Sequence, residues 1–142
     1  MSTYYDCQMA LKEILEGVAG INRVYATPPG NVQNLPAIVL YGSMGQADFT
    51  FGSGFGGPYL TVAPEQTNVE TFTLFVNDSK LEESTRLVWE FNEKIKAAIS
   101  ANGALKGHGN AKTIQWERPM MMMYAGTEYS GQTYMLSFVV QP

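Results

Sequence analysis

The sequence predicts an α+β domain: a mainly antiparallel sheet with two amphipathic helices on one face and a protruding β-arm. Three observations point there. Residues 7–18 and 81–99 carry apolar side chains at helical spacing. Runs at 37–41, 68–76, 113–116 and 132–140 are continuously apolar or alternate, as strands do. Between two of those strands, residues 42–67 interleave glycines with Phe49, Phe51, Phe55 and Tyr59.

Each element follows from its residues. Cys7, Leu11, Ile14 and Val18 form one stripe, flanked by Ala10 and Leu15, so a helix is expected from about Thr3 to Glu16. Gly17 and Gly20 end it, and a short strand around Val24-Tyr25 follows. Thr27-Pro28-Pro29-Gly30-Asn31 is turn punctuation. Pro36 then opens Ala37-Ile38-Val39-Leu40-Tyr41, which reads as a central strand. In the 42–67 segment, Phe49/Phe51 and Leu60/Val62 alternate with polar neighbours, which predicts two short strands around the Gly cluster: a β-arm, with a plain surface loop as the alternative.

Asn68–Val76 is a strand with Phe72, Leu74 and Val76 on one face and Val69, Thr71, Thr73 and Phe75 on the other. Ser79 with Glu82 has the form of a capping box. Leu81, Val88, Phe91, Ile95, Ala98 and Ile99 make the apolar face of a helix over about 80–101, with Glu82→Arg86 and Glu90→Lys94 as supporting pairs. Asn102-Gly103 stops it. After the turn at 107–110, Ile114 and Trp116 lie in an alternating strand, Pro119 interrupts, and Met120–Tyr124 resumes extended. Ala125–Gly131 reads as a connection to the last strand, Gln132–Val140.

Composition narrows the function. The 142 residues suit one domain, 1–142. Charged residues are 15%, against about 25% in ordinary soluble proteins. A surface this poor in charge is either weakly solvated or covered by partners. The net charge of −4 and pI near 4.9 disfavour gripping a polyanion through its phosphates. The lone Cys7 excludes an intramolecular disulfide, and with only His108 beside it in the inventory no usual zinc site is expected. The opening residues lack the basic and apolar regions of a signal peptide, and no apolar run approaches the length of a membrane span. A soluble, non-secreted protein with no membrane association, metal or cofactor is expected.

No catalytic set emerges. Gly52-Ser53-Gly54-Phe55-Gly56-Gly57 matches G-x-G-x-x-G, but Pro58 and a strand-like Tyr59–Val62 follow where a dinucleotide site needs a helix. Asn77-Asp78-Ser79 has the form of a glycosylation acceptor and reads as a turn plus helix cap. His108 sits between glycines with no nucleophile or carboxylate nominated beside it. Cys7 lies on the apolar stripe, where a thiol packs. The sequence therefore predicts a non-enzyme.

Contact surfaces are the better candidates. Trp89 flanks the polar face of the second helix, to be covered either by a loop of its own chain or by a partner. Met120–Met123 place adaptable side chains on both faces of one segment. If the helices cover one face, the other is expected to meet a neighbour, with a two-sided core strand as the alternative, and Met121 and Met123 are named as contact residues. The aromatic arm (Phe49, Phe51, Phe55, Tyr59) is built to add onto an adjacent subunit.

The order of elements, and above all the final hairpin Tyr124-Ala125-Gly126-Thr127-Glu128-Tyr129-Ser130-Gly131-Gln132-Thr133-Tyr134, resembles the tail terminator (tail completion, minor tail protein U-like) proteins of long-tailed bacteriophages. The resemblance is one of layout over nearly the whole chain. It implies a ring of six subunits at the head-proximal end of a virion tail, assembled in the host cytoplasm. Such a ring caps the tail tube, stops its polymerisation and offers a surface to a head-side connector protein, while DNA passes through the lumen without specific binding. The family brings no catalytic residues. Alternatives are another head–tail connector or tube protein of the same virion, or a small dimeric ligand-binding α+β domain.

Overall fold

A computed structural model describes residues 2–42, 49–54, 57–62, 67–77 and 81–141, with 49–54, 57–62 and 77 described by backbone alone. The chain forms α1 (Tyr4–Glu16), β1 (Arg23–Tyr25), β2 (Ala37–Gly42), β3 (Phe49–Gly54), β4 (Gly57–Val62), β5 (Thr67–Asn77), α2 (Leu81–Ala101), β6 (Gly109–Trp116), β7 (Met120–Tyr124) and β8 (Thr127–Val140), with a 3-10 turn at Leu105–Gly107. This is the α+β architecture that the alternation of stripes and strands predicts.

The main sheet runs β1-β2-β5-β8-β6, with β7 also paired to β8. Among the described residues, only the β1–β2 pair is parallel. Strand β8 organises it. One side of β8 takes β5 from Asn77↔Ser130 to Thr67↔Val139. Its other side takes β6 near its C-terminal end and β7 near its N-terminal end, in tandem. Pro119 separates the two, as the missing N–H of proline predicts.

Both helices cover one face. Cys7, Leu11, Ile14 and Leu15 of α1 and Val88, Phe91, Ile95 and Ile99 of α2 bury against Ile38, Leu40, Phe72, Leu74, Tyr134, Leu136 and Phe138. Phe72 stacks on Tyr134, with ring centroids 4.9 Å apart and planes 6° from parallel. Thr3 caps α1: its hydroxyl accepts from the Asp6 N–H, and the Asp6 carboxylate accepts from the Thr3 N–H in return. Ser79, assigned from sequence to the cap of α2, lies outside the described residues. The supporting pairs on α2 differ from those expected. Arg86 bonds Glu90 (3.2 Å) and Lys96 bonds Glu93 (2.9 Å), while Lys94 reaches the Ala19 carbonyl and the Phe91 ring.

The second face has its own small core, which periodicity does not reveal. The turn-rich segment 26–36 folds back so that Val32 joins Ala37, Val39, Phe75 and Tyr129 in a buried cluster, with Leu35, Met122 and Tyr124 against it. Tyrosine hydroxyls pin this segment: Tyr129 donates to the Val32 carbonyl (3.3 Å), Tyr124 to the Pro29 carbonyl, and Tyr25 to the Gln33 carbonyl (3.2 Å). The connection expected at 125–131 is shorter than it reads. Strand β8 begins at Thr127, so Ala125-Gly126 is a two-residue hairpin loop with φ of 50° and 83°, the positive values a tight hairpin turn requires.

Candidate subunit interface

A sheet ends in unpaired N–H and C=O groups, and soluble proteins defend such edges with shortness, charge or bulges. Strand β1 is three residues long and carries Arg23, whose guanidinium lies 4.6 Å from the Tyr25 ring centroid. Strand β6 is bulged between Ala111 and Thr113, with exposed Lys112 at the irregularity. Strand β7 has neither defence. Met120–Tyr124 carries no charge, pairs with β8 in unbroken register from Met120↔Gly131 to Tyr124↔Thr127, and has β8 as its only strand neighbour among the described residues.

The faces of β7 differ. Met122 and Tyr124 point to the face covered by segment 26–36, where the Thr133 hydroxyl also reaches the Met122 sulfur (3.7 Å). Met121 and Met123 pair with Ser130 and Glu128 and so share the helix side, because directly opposed residues lie on one face. Met123 is 67% exposed, so the open face of β7 is the helix side and not, as the sequence suggests, the face away from the helices, which segment 26–36 fills. Helix α2 approaches this region: buried Asn92 donates to Gln132 (3.1 Å) and Tyr134 (3.4 Å), one and two pleats along β8 from Ser130. Trp89 precedes Asn92 by nearly a turn and is 41% exposed. Two turns further on, the Lys96 ammonium lies 4.7 Å from the ring centroid of Trp116 at the end of β6. Trp89, Met121 and Met123, singled out separately from sequence, therefore belong to the same side of the sheet.

An open hollow of about 470 Å³ lies along the end of β6 and β8, lined by Ile114, Gln115, Trp116, Glu117, Thr133 and Met135. Among the described residues, Glu117 is the one ionisable group in that lining, and no set of charges converges there.

The arm forms a separate two-stranded sheet, β3 with β4. Its register pairs Phe49 with Val62 and Phe51 with Leu60, alternating with Thr50↔Thr61 and Gly52↔Tyr59. The pattern puts Phe49, Phe51, Leu60 and Val62 on one face of the ribbon. The glycines of the G-x-G-x-x-G match lie in this hairpin, with strand β4 rather than a helix after them. Phe55 lies outside the described residues.

Reactive groups are placed as packing groups. The Cys7 thiol is buried, donates to the His108 carbonyl (3.2 Å) and is pushed up to about 11 by desolvation, far from a thiolate. His108 Nδ1 lies 3.0 Å from the Ser2 hydroxyl, which fastens the N-terminus beside the end of β8. Among the described residues no cluster of His, Cys, Asp and Glu could hold a metal ion, and no helix is long and apolar enough to cross a membrane. Sequence reading missed Glu70, a carboxyl buried at the root of the arm. The strand pattern carried the signal, since Glu70 shares the face of Phe72, Leu74 and Val76.

No family model matches the chain, and no curated protein matches it. Among solved structures it is similar to a chain from the virion of a native gene transfer agent particle, at 12% identity and a TM-score of 0.39, over 97% of this chain and 99% of that one. A likeness at that level leaves the function to be read from the surface itself.

Proposed function

We propose that this chain is a structural, non-enzymatic virion subunit that closes into a six-membered ring and terminates a phage-type tail tube. The observation that carries the reading is the pair of elements that one copy leaves unsatisfied. A two-stranded ribbon with an apolar face stands as its own sheet, and the edge of β7 is uncharged and, among the described residues, unpaired. An isolated hairpin is at best marginally stable in water, and an undefended edge invites another strand. Both are tolerable in a protein that works covered by its neighbours. The ribbon and the β7 edge are different surfaces, so each subunit offers one of each, the head-to-tail arrangement from which rings are built.

The number six, the tube-capping role, the head-side connector and the tail location come from the resemblance of the sequence layout to tail terminators. An acidic chain with net charge −4 suits a lumen through which DNA slides without being held.

Light scattering on the purified protein is the direct test. A hexamer, or a monomer that becomes hexameric on tube ends, is expected, and phage lacking the gene should carry overlong or headless tails. A monomer that never engages tube ends would overturn the proposal. Polymerisation of the protein alone into tubes would make it a tube protein of the same virion.

A further inference from the structure

Resting on that ring reading, we propose that the free edge of β7, Met120–Tyr124, is the seat of β3 from the hairpin of the next copy of this chain. Three observations select this pairing.

The first is edge chemistry. Strand β1 is short and bears Arg23, and β6 is bulged at Lys112, which leaves β7 as the regular, uncharged edge of the main sheet. On the ribbon, β4 contains Pro58, which has no N–H to offer a ladder, whereas β3, Phe49–Gly54, has none. Strand β3 is therefore the donor. Its six residues match the five of β7, an overlap of about 17 Å.

The second is facing. The side of β7 bearing Met122 and Tyr124 is already filled by segment 26–36. The side bearing Met121 and Met123 is open, with Trp89 on the same side. A ribbon added there turns its Phe49–Phe51–Leu60–Val62 face to these side chains, and apolar surface on both partners leaves water together.

The third is reach, which decides between self-capture and a neighbour. The arm is rooted at Gly42 and Thr67, and Thr67 pairs with Val139. Strand β7 lies beside the opposite end of β5, since Met120 pairs with Gly131, which pairs with Phe75. From Thr67 to Phe75 is about 27 Å along the strand. The base of the ribbon at Val62 can lie no more than about 18 Å from Thr67, even with the chain between them fully extended. A hairpin thus cannot lay its full length along its own β7. A second copy can receive it, and because donor and acceptor sit at opposite ends of the sheet the contact repeats from subunit to subunit.

Cysteine pairs test this in the full-length protein. Phe51→Cys combined with Met121→Cys, and with Met123→Cys, should on oxidation give a reducible ladder of cross-linked multimers that neither single variant of a pair gives. Met123→Lys, at a position already 67% exposed, should leave the far-UV circular dichroism unchanged, and also the melting temperature at a concentration where both proteins are monomeric. It should raise the concentration for half-assembly at least tenfold. A variant with residues 49–62 replaced by a short Gly-Ser linker should fold and stay monomeric. Intact hexamers that show no ladder and ignore Met123→Lys would overturn this pairing and leave the ring reading standing. Absence of any oligomer, with or without tube ends, would overturn both. Cross-links that form only to a tube subunit would assign the edge to that partner instead.

Discussion

The Glu70 carboxylate accepts a hydrogen bond of 3.2 Å from the backbone N–H of Gly42, the residue at which the arm leaves the sheet. The same oxygen accepts from Gln8 Nε2 of α1 (3.1 Å), while the second oxygen is buried with no partner among the described residues. A core position on β5 thus ties the first helix to the root of the arm. Burial raises the Glu70 pKa from 4.5 to about 7, with the Gly42 hydrogen bond opposing the shift only in part.

The folded state therefore holds this proton more tightly than the unfolded state does. Its contribution to stability is greatest below about pH 4.5, falls as pH rises towards 7, and is flat above, a change of up to about 3 kcal/mol. Glu70→Gln keeps an oxygen for Gly42 and removes the titration. Urea unfolding at pH 5 and pH 8 should show the slope in the parent protein and not in the variant. The variant should be more stable by about 1–2 kcal/mol at pH 8.

Ala125 holds φ at 50°, a region that costs an L-residue with a Cβ about 1 kcal/mol or more. Glycine has no such cost but gains freedom in the unfolded chain. Ala125→Gly should then stabilise the β7–β8 hairpin by about 0.5–1 kcal/mol in denaturant titrations. A loss of stability would mean that the turn relaxes in solution.

Gly131 of β8 lies between Phe75 of β5 and Met120 of β7. A Cβ there would fall 1.9 Å from the Leu74 carbonyl oxygen and 2.9 Å from the end of Met122. Gly131→Ala must therefore part β5 from β8, and a loss of about 3 kcal/mol or more is expected. Gly30→Ala is the control, since nothing lies within 4 Å of its added Cβ. It should stay within about 0.5 kcal/mol of the parent.

Tyr129 is buried, donates to the Val32 carbonyl at 3.3 Å, and meets the Phe75 ring edge-on at 5.3 Å. Tyr129→Phe keeps the ring contact and leaves a buried carbonyl short of its donor. A loss of about 1 kcal/mol is expected, with faster amide exchange confined to segment 26–36.

The main elements were legible because each is encoded locally. The α1 stripe at Cys7, Leu11 and Ile14 and the alternation of Phe72, Leu74 and Val76 answer to helical and strand periods that a chain carries whatever it packs against. The arm strands read correctly for the same reason, Phe49/Phe51 and Leu60/Val62 falling opposite each other in the register. The start of β8 did not, because Thr127–Gly131 is polar and glycine-bearing and becomes strand only through the partners β7 and β5 supply. The tyrosine-pinned cover of segment 26–36 was equally hidden. The hydrogen bonds from Tyr124 and Tyr129 join residues about a hundred positions apart, such as Tyr129 and Val32, and no local period reports them.

Of the candidate surface, the sequence by itself determined the chemistry: an uncharged methionine strand, a tryptophan at a helix border and an aromatic, glycine-rich ribbon. Only the tertiary structure decided that Met121, Met123 and Trp89 share one side, that β6 is bulged at Lys112 while β7 is not, and that the arm is rooted at the far end of the sheet from β7. Residue type fixes what a side chain can bind. Strand order and register fix which side chains meet, and those depend on pairings between distant parts of the chain.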